Sequence, residues 1–126
     1  MKQLIYIAIL CCIISCKERK KAHLVLFEEN KQLQLTNGVL YYSNAPFNGT
    51  LKSFNEVNQT KNTANYVNGK KEGEERKLFK NDSLAELRFY KNGLKVGVHL
   101  SWRENGQQKF EYPYSNQGAY HGTIKE

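Results

Sequence analysis

Cysteine is missing from most of this chain of 126 residues. The three cysteines all lie in the first 16 residues, at Cys11, Cys12 and Cys16. The remainder of the chain therefore forms neither a disulfide nor a thiolate metal site. The three histidines are His23, His99 and His121. They are far apart and lack the HExxH spacing of a zinc site, so the sequence predicts no metal and no cofactor.

Catalytic and nucleic-acid-binding motifs are also missing. No Ser-His-Asp or phosphate-loop signature is present, and no pair of acidic residues is placed by a motif for acid–base work. The net charge is +7 and the pI is about 9.3, but acidic residues interrupt the cations, as they do over residues 70–77. No recognition element accompanies the basic residues. The sequence therefore predicts a non-enzymatic protein that does not bind nucleic acid.

No hydrophobic run is long enough to span a bilayer, which takes about 20 apolar residues. The uncharged apolar run from Leu4 to Ile14 has eleven residues and follows a short basic start, as is typical of a signal peptide. It leads into Ile13-Ile14-Ser15-Cys16, which resembles the lipobox of bacterial lipoproteins. The resemblance implies cleavage after Ser15 and diacylation of Cys16. The alternatives are an ordinary secretory signal and an uncleaved anchor.

These features predict the organisation of the N-terminal region. Residues 1–15 are predicted to be a lipoprotein signal peptide, and residues 16–22 a polar tether whose cations contact anionic headgroups. The predicted location is the bacterial cell envelope, with the protein attached to a membrane through Cys16. The outer membrane is favoured in a Gram-negative organism, because Lys17 is not the aspartate that retains lipoproteins at the inner membrane in some of those bacteria.

A phrase of the form Tyr-x-Asn-Gly-x-x-x-Gly dominates the rest of the sequence. It occurs as Tyr66-Val-Asn-Gly69-Lys-Lys-Glu-Gly73 and as Tyr90-Lys-Asn-Gly93-Leu-Lys-Val-Gly97, with weaker copies before and after. Successive copies are spaced 24 residues apart, as shown by Tyr42, Tyr66, Tyr90 and Tyr114 and by Gly49, Gly73 and Gly97. The last copy has one extra residue and contains Gly118 and Gly122. A fixed period of this length predicts a repeat architecture.

Strand and turn signals recur within each unit. Apolar runs alternate with Asn-Gly and Asn-Asp pairs, and glycine supplies the positive φ that such turns require. We predict an all-β fold, an elongated antiparallel meander of stacked β-hairpins with one hairpin per repeat. An N-terminal β-hairpin cap over residues 23–41 would precede units 42–65, 66–89, 90–113 and a partial unit 114–126. In this scheme Gly-x-x-x-Gly links one hairpin to the next.

The repeated phrase resembles the units of MORN-repeat proteins, and more closely those of the bacterial MORN variant. The resemblance covers residues 42–126, about two-thirds of the chain. It implies a scaffold that binds another protein, and names given to such proteins imply an antitoxin-like or membrane-binding role.

The aromatic residues fall into two columns. One column contains the tyrosines Tyr66, Tyr90 and Tyr114; the other contains Phe54, Leu78 and Trp102, each the fifth residue after a repeat glycine. We expect both columns to stack in the core. The alternative is an exposed ladder that binds a peptide, a glycan or lipid headgroups, with Tyr66, Tyr90 and Trp102 as candidate binding residues. The primary functional prediction is a protein-interaction scaffold whose partner the sequence does not identify.

Overall fold

The computed structural model describes residues 23–121, and these form ten β-strands. The strands are β1 (Leu24–Phe27), β2 (Leu33–Thr36), β3 (Val39–Tyr42), β4 (Ala45–Pro46), β5 (Gly49–Asn55), β6 (Thr60–Val67), β7 (Lys70–Leu78), β8 (Leu84–Lys91), β9 (Leu94–Trp102) and β10 (Gln108–Tyr114). Seven strands make one sheet in the order β1-β5-β6-β7-β8-β9-β10, and β2, β3 and β4 make a second sheet. The prediction of an all-β fold built from antiparallel hairpins is confirmed.

The first strand departs from the predicted meander. β1 pairs in parallel with β5, with Leu24 beside Gly49 and Leu26 beside Leu51. The prediction of one hairpin over residues 23–41 therefore differs from the structure in its first strand, because the hairpin is formed by β2 and β3 alone. The parallel register places Leu24 and Leu26 on the same face of the sheet as Leu51, where the second sheet buries them.

Asn-Gly pairs make three of the tight turns. Their φ angles are 49° and 75° at Asn37-Gly38, 50° and 76° at Asn68-Gly69, and 49° and 80° at Asn92-Gly93. Two consecutive positive φ angles are the signature of a type I′ hairpin turn. The turns join β2 to β3, β6 to β7 and β8 to β9, so the Asn-Gly pairs connect directly adjacent strands of continuous sheets.

The second glycine of each well-matched phrase has a different role from the first. Gly73 and Gly97 lie inside β7 and β9 with φ of 77° and 68°. The strand register shifts beside each of them. A step of two residues along the neighbouring strand corresponds to a step of four residues along the strand that contains the glycine. Such extra residues form a β-bulge. The predicted link between hairpins is thus a tight turn followed by a bulge within one sheet.

Hydrogen bonds between units repeat with the sequence period. In two successive units, each Asn-Gly turn donates two backbone N–H groups to residues of the preceding turn region. The bonds run from Gly69 N to Phe47 O (2.8 Å), from Gly93 N to Lys71 O (2.9 Å), from Asn68 N to Asn48 Oδ1 (2.9 Å) and from Asn92 N to Glu72 Oε2 (2.7 Å). Donors and acceptors are both displaced by 24 residues between units, so the contact between units is itself repeated.

The hydrophobic core lies where the second sheet covers the β1, β5 and β6 end of the large sheet. Its centre is Phe47, which is 1% exposed and packs with Leu26 and Leu40. The ring centroid of Phe47 lies 6.4 Å from that of Tyr42 and 5.8 Å from that of Tyr66. From β7 to β10, the described part of the large sheet has no second layer. Both faces of that region are available to form a site.

Candidate binding surface on the seven-stranded sheet

Cross-strand register divides the side chains of β7 to β10 between two faces. Glu75 pairs with Arg88, Gly73 with Tyr90, Tyr112 with His99 and Tyr114 with Gly97. Because paired residues share a face, one face carries Glu75, Arg88, Tyr90, His99 and Tyr114, and we call it the polar face. Strand alternation places the intervening residues on the opposite face.

Glu75 is a buried carboxylate on the polar face, 5% exposed. Its Oε1 accepts hydrogen bonds from Lys71 Nζ at 2.7 Å and from Asn62 Nδ2 at 2.9 Å. Burial opposes ionisation, but the hydrogen bonds from Lys71 and Asn62, the charge of Lys71 and the Tyr90 hydroxyl together lower the pKa of Glu75. The carboxylate is therefore ionised at neutral pH and is held in place by its donors.

Tyr90 lies beside this carboxylate and is also buried. Burial and the nearby negative charge of Glu75 raise its pKa to about 12. The ammonium of Lys71 lies 4.9 Å from the centroid of the Tyr90 ring, within the range of a cation–π contact. The phenol is therefore neutral at physiological pH.

His99 continues the row beyond Tyr90 and is 5% exposed. Its ring centroid lies 5.7 Å from that of Tyr90 and 4.6 Å from that of Tyr114. His99 Nε2 lies 2.9 Å from the carbonyl oxygen of Phe89 and 3.2 Å from its amide nitrogen. Burial lowers the pKa of His99, and the charges of Arg88 and Lys95 act in the same direction, so the imidazole is neutral at pH 7.

His99 should make the fold sensitive to mild acid. Its pKa is lowered in the folded state, so between its unfolded and folded pKa values the unfolded chain binds the proton more tightly. The stabilisation is complete above an unfolded pKa of about 6.5 and decreases as pH falls below it. Glu75, whose folded pKa lies below 4.5, adds a loss only in stronger acid. We expect the urea midpoint to fall between pH 7 and pH 5, and to change much less over that window in His99→Phe.

The control is His121→Gln, which changes an exposed histidine and should follow the wild type. If the urea midpoint of His99→Phe depends on pH as steeply as that of the wild type, the assignment to His99 is contradicted.

Two clefts open on the polar face. The β5–β8 cleft has a volume of about 290 Å³ and is lined mostly by polar residues of β5, β6 and β7, including Asn62, Glu75 and Lys77. The β8–β10 cleft has a volume of about 360 Å³ and is lined by Glu86, Arg88, Lys95, His99, Leu100, Ser101, Phe110, Tyr112 and Tyr114. Arg88 borders both clefts and forms an ion pair with Glu86. The β8–β10 cleft combines three aromatic rings with its cations, whereas Phe54 is the one aromatic residue of the described range that borders the β5–β8 cleft.

The opposite face exposes apolar side chains at several positions. Phe27 is 61% exposed, and Val25, Phe54 and Val98 are between 41% and 45% exposed. Register places them on one face, since Val25 pairs with Thr50, Phe27 with Lys52, Phe54 with Lys61 and Val98 with Pro113. This face therefore presents aromatic and aliphatic side chains from β1, β5 and β9.

The three candidate binding residues are not brought together. Tyr66 packs against Phe47 in the core, and Tyr90 lies buried on the polar face. Trp102 alternates along β9 with Ser101, which lines the β8–β10 cleft, so Trp102 falls on the opposite face. These three residues therefore lie in three different environments and do not form one site.

The two predicted aromatic columns also differ from each other. In the tyrosine column, His99 stands between Tyr90 and Tyr114, and Tyr66 packs on Phe47. Tyr42 joins the core through Phe47. In the other column, Phe54 is exposed on the opposite face, while Leu78 and Trp102 are half-buried. Phe54 therefore does not contribute to the core as expected.

The repeat glycines within the described range all have positive φ. They are Gly49, Gly69, Gly73, Gly93, Gly97 and Gly118. Gly122 and the predicted lipidation residue Cys16 lie outside the described residues. Their roles therefore stay predictions.

The residues that sequence reasoning missed are Glu75 and His99. Each is the second residue after a repeat glycine, Gly73 or Gly97, as Leu51 is after Gly49. Aligning the units would have identified this column. The shared position explains why a core leucine, a buried carboxylate and a buried imidazole occupy equivalent places on the same face.

Within residues 23–121, no cluster of three His, Cys, Asp or Glu side chains could hold a metal ion. The same stretch contains no helix of the length and hydrophobicity needed to cross a membrane. Comparison of the chain with protein-family models, with curated proteins and with solved structures found no match.

Proposed function

We propose that this protein is a non-enzymatic, lipid-anchored interaction module of the bacterial cell envelope, and that its sheet binds a protein partner. The observation that carries the proposal is the group of exposed apolar side chains on the opposite face, namely Val25, Phe27 and Phe54 on β1 and β5 and Val98 on β9. Exposed aromatic and aliphatic groups on one surface are typical of protein contact sites. Cys16 supplies the membrane attachment, and a MORN-like repeat supplies the sheet.

The protonation states on the polar face support a binding role over acid–base catalysis. At neutral pH Glu75 is ionised, and Tyr90 and His99 are neutral, because each has its pKa moved away from 7. A general acid or base works best with a pKa near the working pH. These three groups are therefore suited to holding neighbouring strands and the walls of the clefts in place.

The 24-residue displacement of hydrogen bonds supports the repeat assignment. Gly69 and Gly93 donate to equivalent carbonyl groups of the preceding units. Each unit is therefore stabilised mainly by its neighbour, as in repeat proteins generally. Such a sheet presents a long surface whose side chains can vary without changing the backbone contacts.

Charge indicates the chemistry of the partner. On the opposite face, Lys52 is in register with Phe27, is exposed and forms no ion pair within the described range. Lys61 is in register with Phe54 and is partly neutralised by Asp82 at 2.7 Å. A protein surface with an apolar centre and acidic neighbours would complement this arrangement.

The partner contact can be tested by cross-linking in the native cell. The tagged full-length chain would be compared with Phe27→Ser combined with Phe54→Ser, and with the control Leu35→Ser, which alters a 70% exposed residue of the second sheet. Loss of buried aromatic anchors typically costs 2 kcal/mol or more, so we expect at least about tenfold less cross-linked partner. The control should retain the wild-type yield. Equal capture by all three proteins would refute the opposite face as the contact surface.

A further inference from the structure

The β8–β10 cleft lies on the polar face, away from the proposed protein contact. We propose that this cleft binds an acidic carbohydrate, with sugar rings on the aromatic residues of β10 and a carboxylate at Lys95. This second activity is independent of the partner contact. It stands on the geometry of the aromatic row, on a buried hydroxyl and on the uncompensated cation Lys95.

The aromatic row consists of Phe110, Tyr112 and Tyr114. These alternate along β10 and therefore share the polar face. The ring centroids of Phe110 and Tyr112 are 5.6 Å apart. Tyr120 supports the row from its outer side, with its ring edge-on to Tyr112 at 6.3 Å and to Tyr114 at 5.9 Å. The rings are thus held in place at the edge of the sheet, where successive flat C–H faces of sugars can pack on them.

Ser101 provides a polar group inside the cleft. It pairs with Glu86 on one side and with Phe110 on the other, and its Oγ is buried without a hydrogen-bond partner among the described residues. A buried hydroxyl without a partner is unfavourable. A small shift of the side chains around Oγ would expose it, and a ligand rich in hydroxyl groups, which both donate and accept, would then satisfy it.

Lys95 provides the charge. Its Nζ lies 5.4 Å from the centroid of the Tyr114 ring, and it forms no ion pair within residues 23–121. The other cation of the cleft, Arg88, is paired with Glu86. Lys109 Nζ lies 5.0 Å from the centroid of the Phe110 ring and also forms no ion pair within the described residues. Two unpaired cations therefore lie beside the aromatic row, and carboxylates on a sugar chain would complement them.

The same features disfavour the other polyanions. A nucleic acid carries a phosphate on every nucleotide and is bound through several cations along its backbone, whereas only two unpaired cations of the described residues, Lys95 and Lys109, lie over rings of this row. The planar surface of a bilayer would not enter the β8–β10 cleft, in which the Ser101 hydroxyl group is buried. A sparsely charged glycan such as a uronate oligomer matches both the aromatic row and its two cations.

The test uses the full-length chain purified in detergent and calorimetric titration with two acidic probes, tetragalacturonate and sialyl-lactose. Methyl-esterified tetragalacturonate and lactose are the neutral counterparts. We expect at least one acidic probe to bind, and the binding to weaken as salt is raised. Loss of a charge-assisted hydrogen bond should weaken binding of that probe by about tenfold or more in Lys95→Gln. Tyr112→Ala, which removes one stacking ring, should weaken it by about threefold to tenfold.

The control Lys91→Gln removes the same charge from the exposed end of β8 and should bind the acidic probe like the wild type. Far-UV circular dichroism and thermal melting establish that each variant is folded. The proposal is overturned if neither acidic probe binds, if the neutral counterparts bind equally well, or if Lys95→Gln binds like Lys91→Gln. Stronger binding of polyuridylate or of phosphatidylglycerol vesicles, lost in Lys95→Gln, would reassign the cleft. None of these outcomes alters the cross-linking result expected for Phe27 and Phe54.

Discussion

Replacing Gly69 by alanine is expected to lower the free energy of unfolding by about 3 kcal/mol or more, because two costs combine. Gly69 has φ of +76°, and a Cβ there would lie 2.4 Å from Val39 Cγ1 and 2.5 Å from Leu40 O. The left-handed backbone alone costs about 1–2 kcal/mol for a residue with a Cβ. Relief of the overlap would move β3 and weaken the hydrogen bond from Leu40 N to Gly69 O, now 2.8 Å.

Gly73 provides the matched control. Its φ is +77°, but a Cβ there meets no atom within 4 Å. Gly73→Ala should therefore cost only the backbone term, about 1–2 kcal/mol. Urea unfolding of the two variants and the wild type measures the difference. Equal losses would mean that the contact between the β6–β7 turn and the second sheet contributes little to stability.

This comparison separates two roles that the repeated phrase combines. The first glycine of the phrase, Gly69, holds the second sheet against the large sheet, and Phe47 becomes buried at that junction. The second, Gly73, forms the bulge that lies two residues before Glu75. A side chain at the first position should therefore reduce stability through both the overlap and the backbone, whereas one at the second should reduce it through the backbone alone.

The elements that could be predicted are those specified locally. Asn-Gly pairs between apolar runs require positive φ at both residues, so the turns at Asn37-Gly38, Asn68-Gly69 and Asn92-Gly93 were predictable wherever strands flanked them. The parallel pairing of β1 with β5 was not, because it depends on contacts between residues about 25 positions apart. Strand patterns alone do not choose between pairing with the nearest strand and pairing with a distant one.

The residues of the candidate sites likewise divide into those that the sequence could locate and those that it could not. The 24-residue spacing of the tyrosines located the row that contains Tyr90 and Tyr114. It did not predict on which face of the sheet Trp102 lies, because the bulges change the alternation of side chains within the units. Burial of Glu75 and His99 could not be predicted from residue type either, since glutamate is mostly exposed and histidine is intermediate in burial. It follows from neighbours on adjacent strands, namely Asn62 and Lys71 for the carboxylate and two tyrosines for the imidazole.

Cys16→Ala is expected to transfer most of the protein from the membrane fraction to the soluble fraction. A single acyl chain gives only marginal, reversible binding, with a partition constant of about 10⁴ M⁻¹, whereas two chains give stable attachment. The variant cannot form the thioether that carries the diacylglycerol. Cys12→Ala, in the same segment, removes a cysteine that the resemblance to a lipobox places before the cleavage site, and should leave attachment unchanged. Fractionation followed by intact-mass measurement gives both the location and the acylation state.

The distribution of charge determines how a residual membrane-bound fraction should behave. Five of the 19 lysines and arginines, but only one of the 12 acidic residues, precede Ala22. Each cation near an anionic leaflet contributes about 1 kcal/mol, and this contribution is screened by salt. Any Cys16→Ala protein still on the membrane should therefore be released by high salt, whereas the acylated wild type should not. Salt-resistant attachment of the variant, with a mass showing an intact N-terminus, would instead identify the apolar run from Leu4 to Ile14 as the anchor.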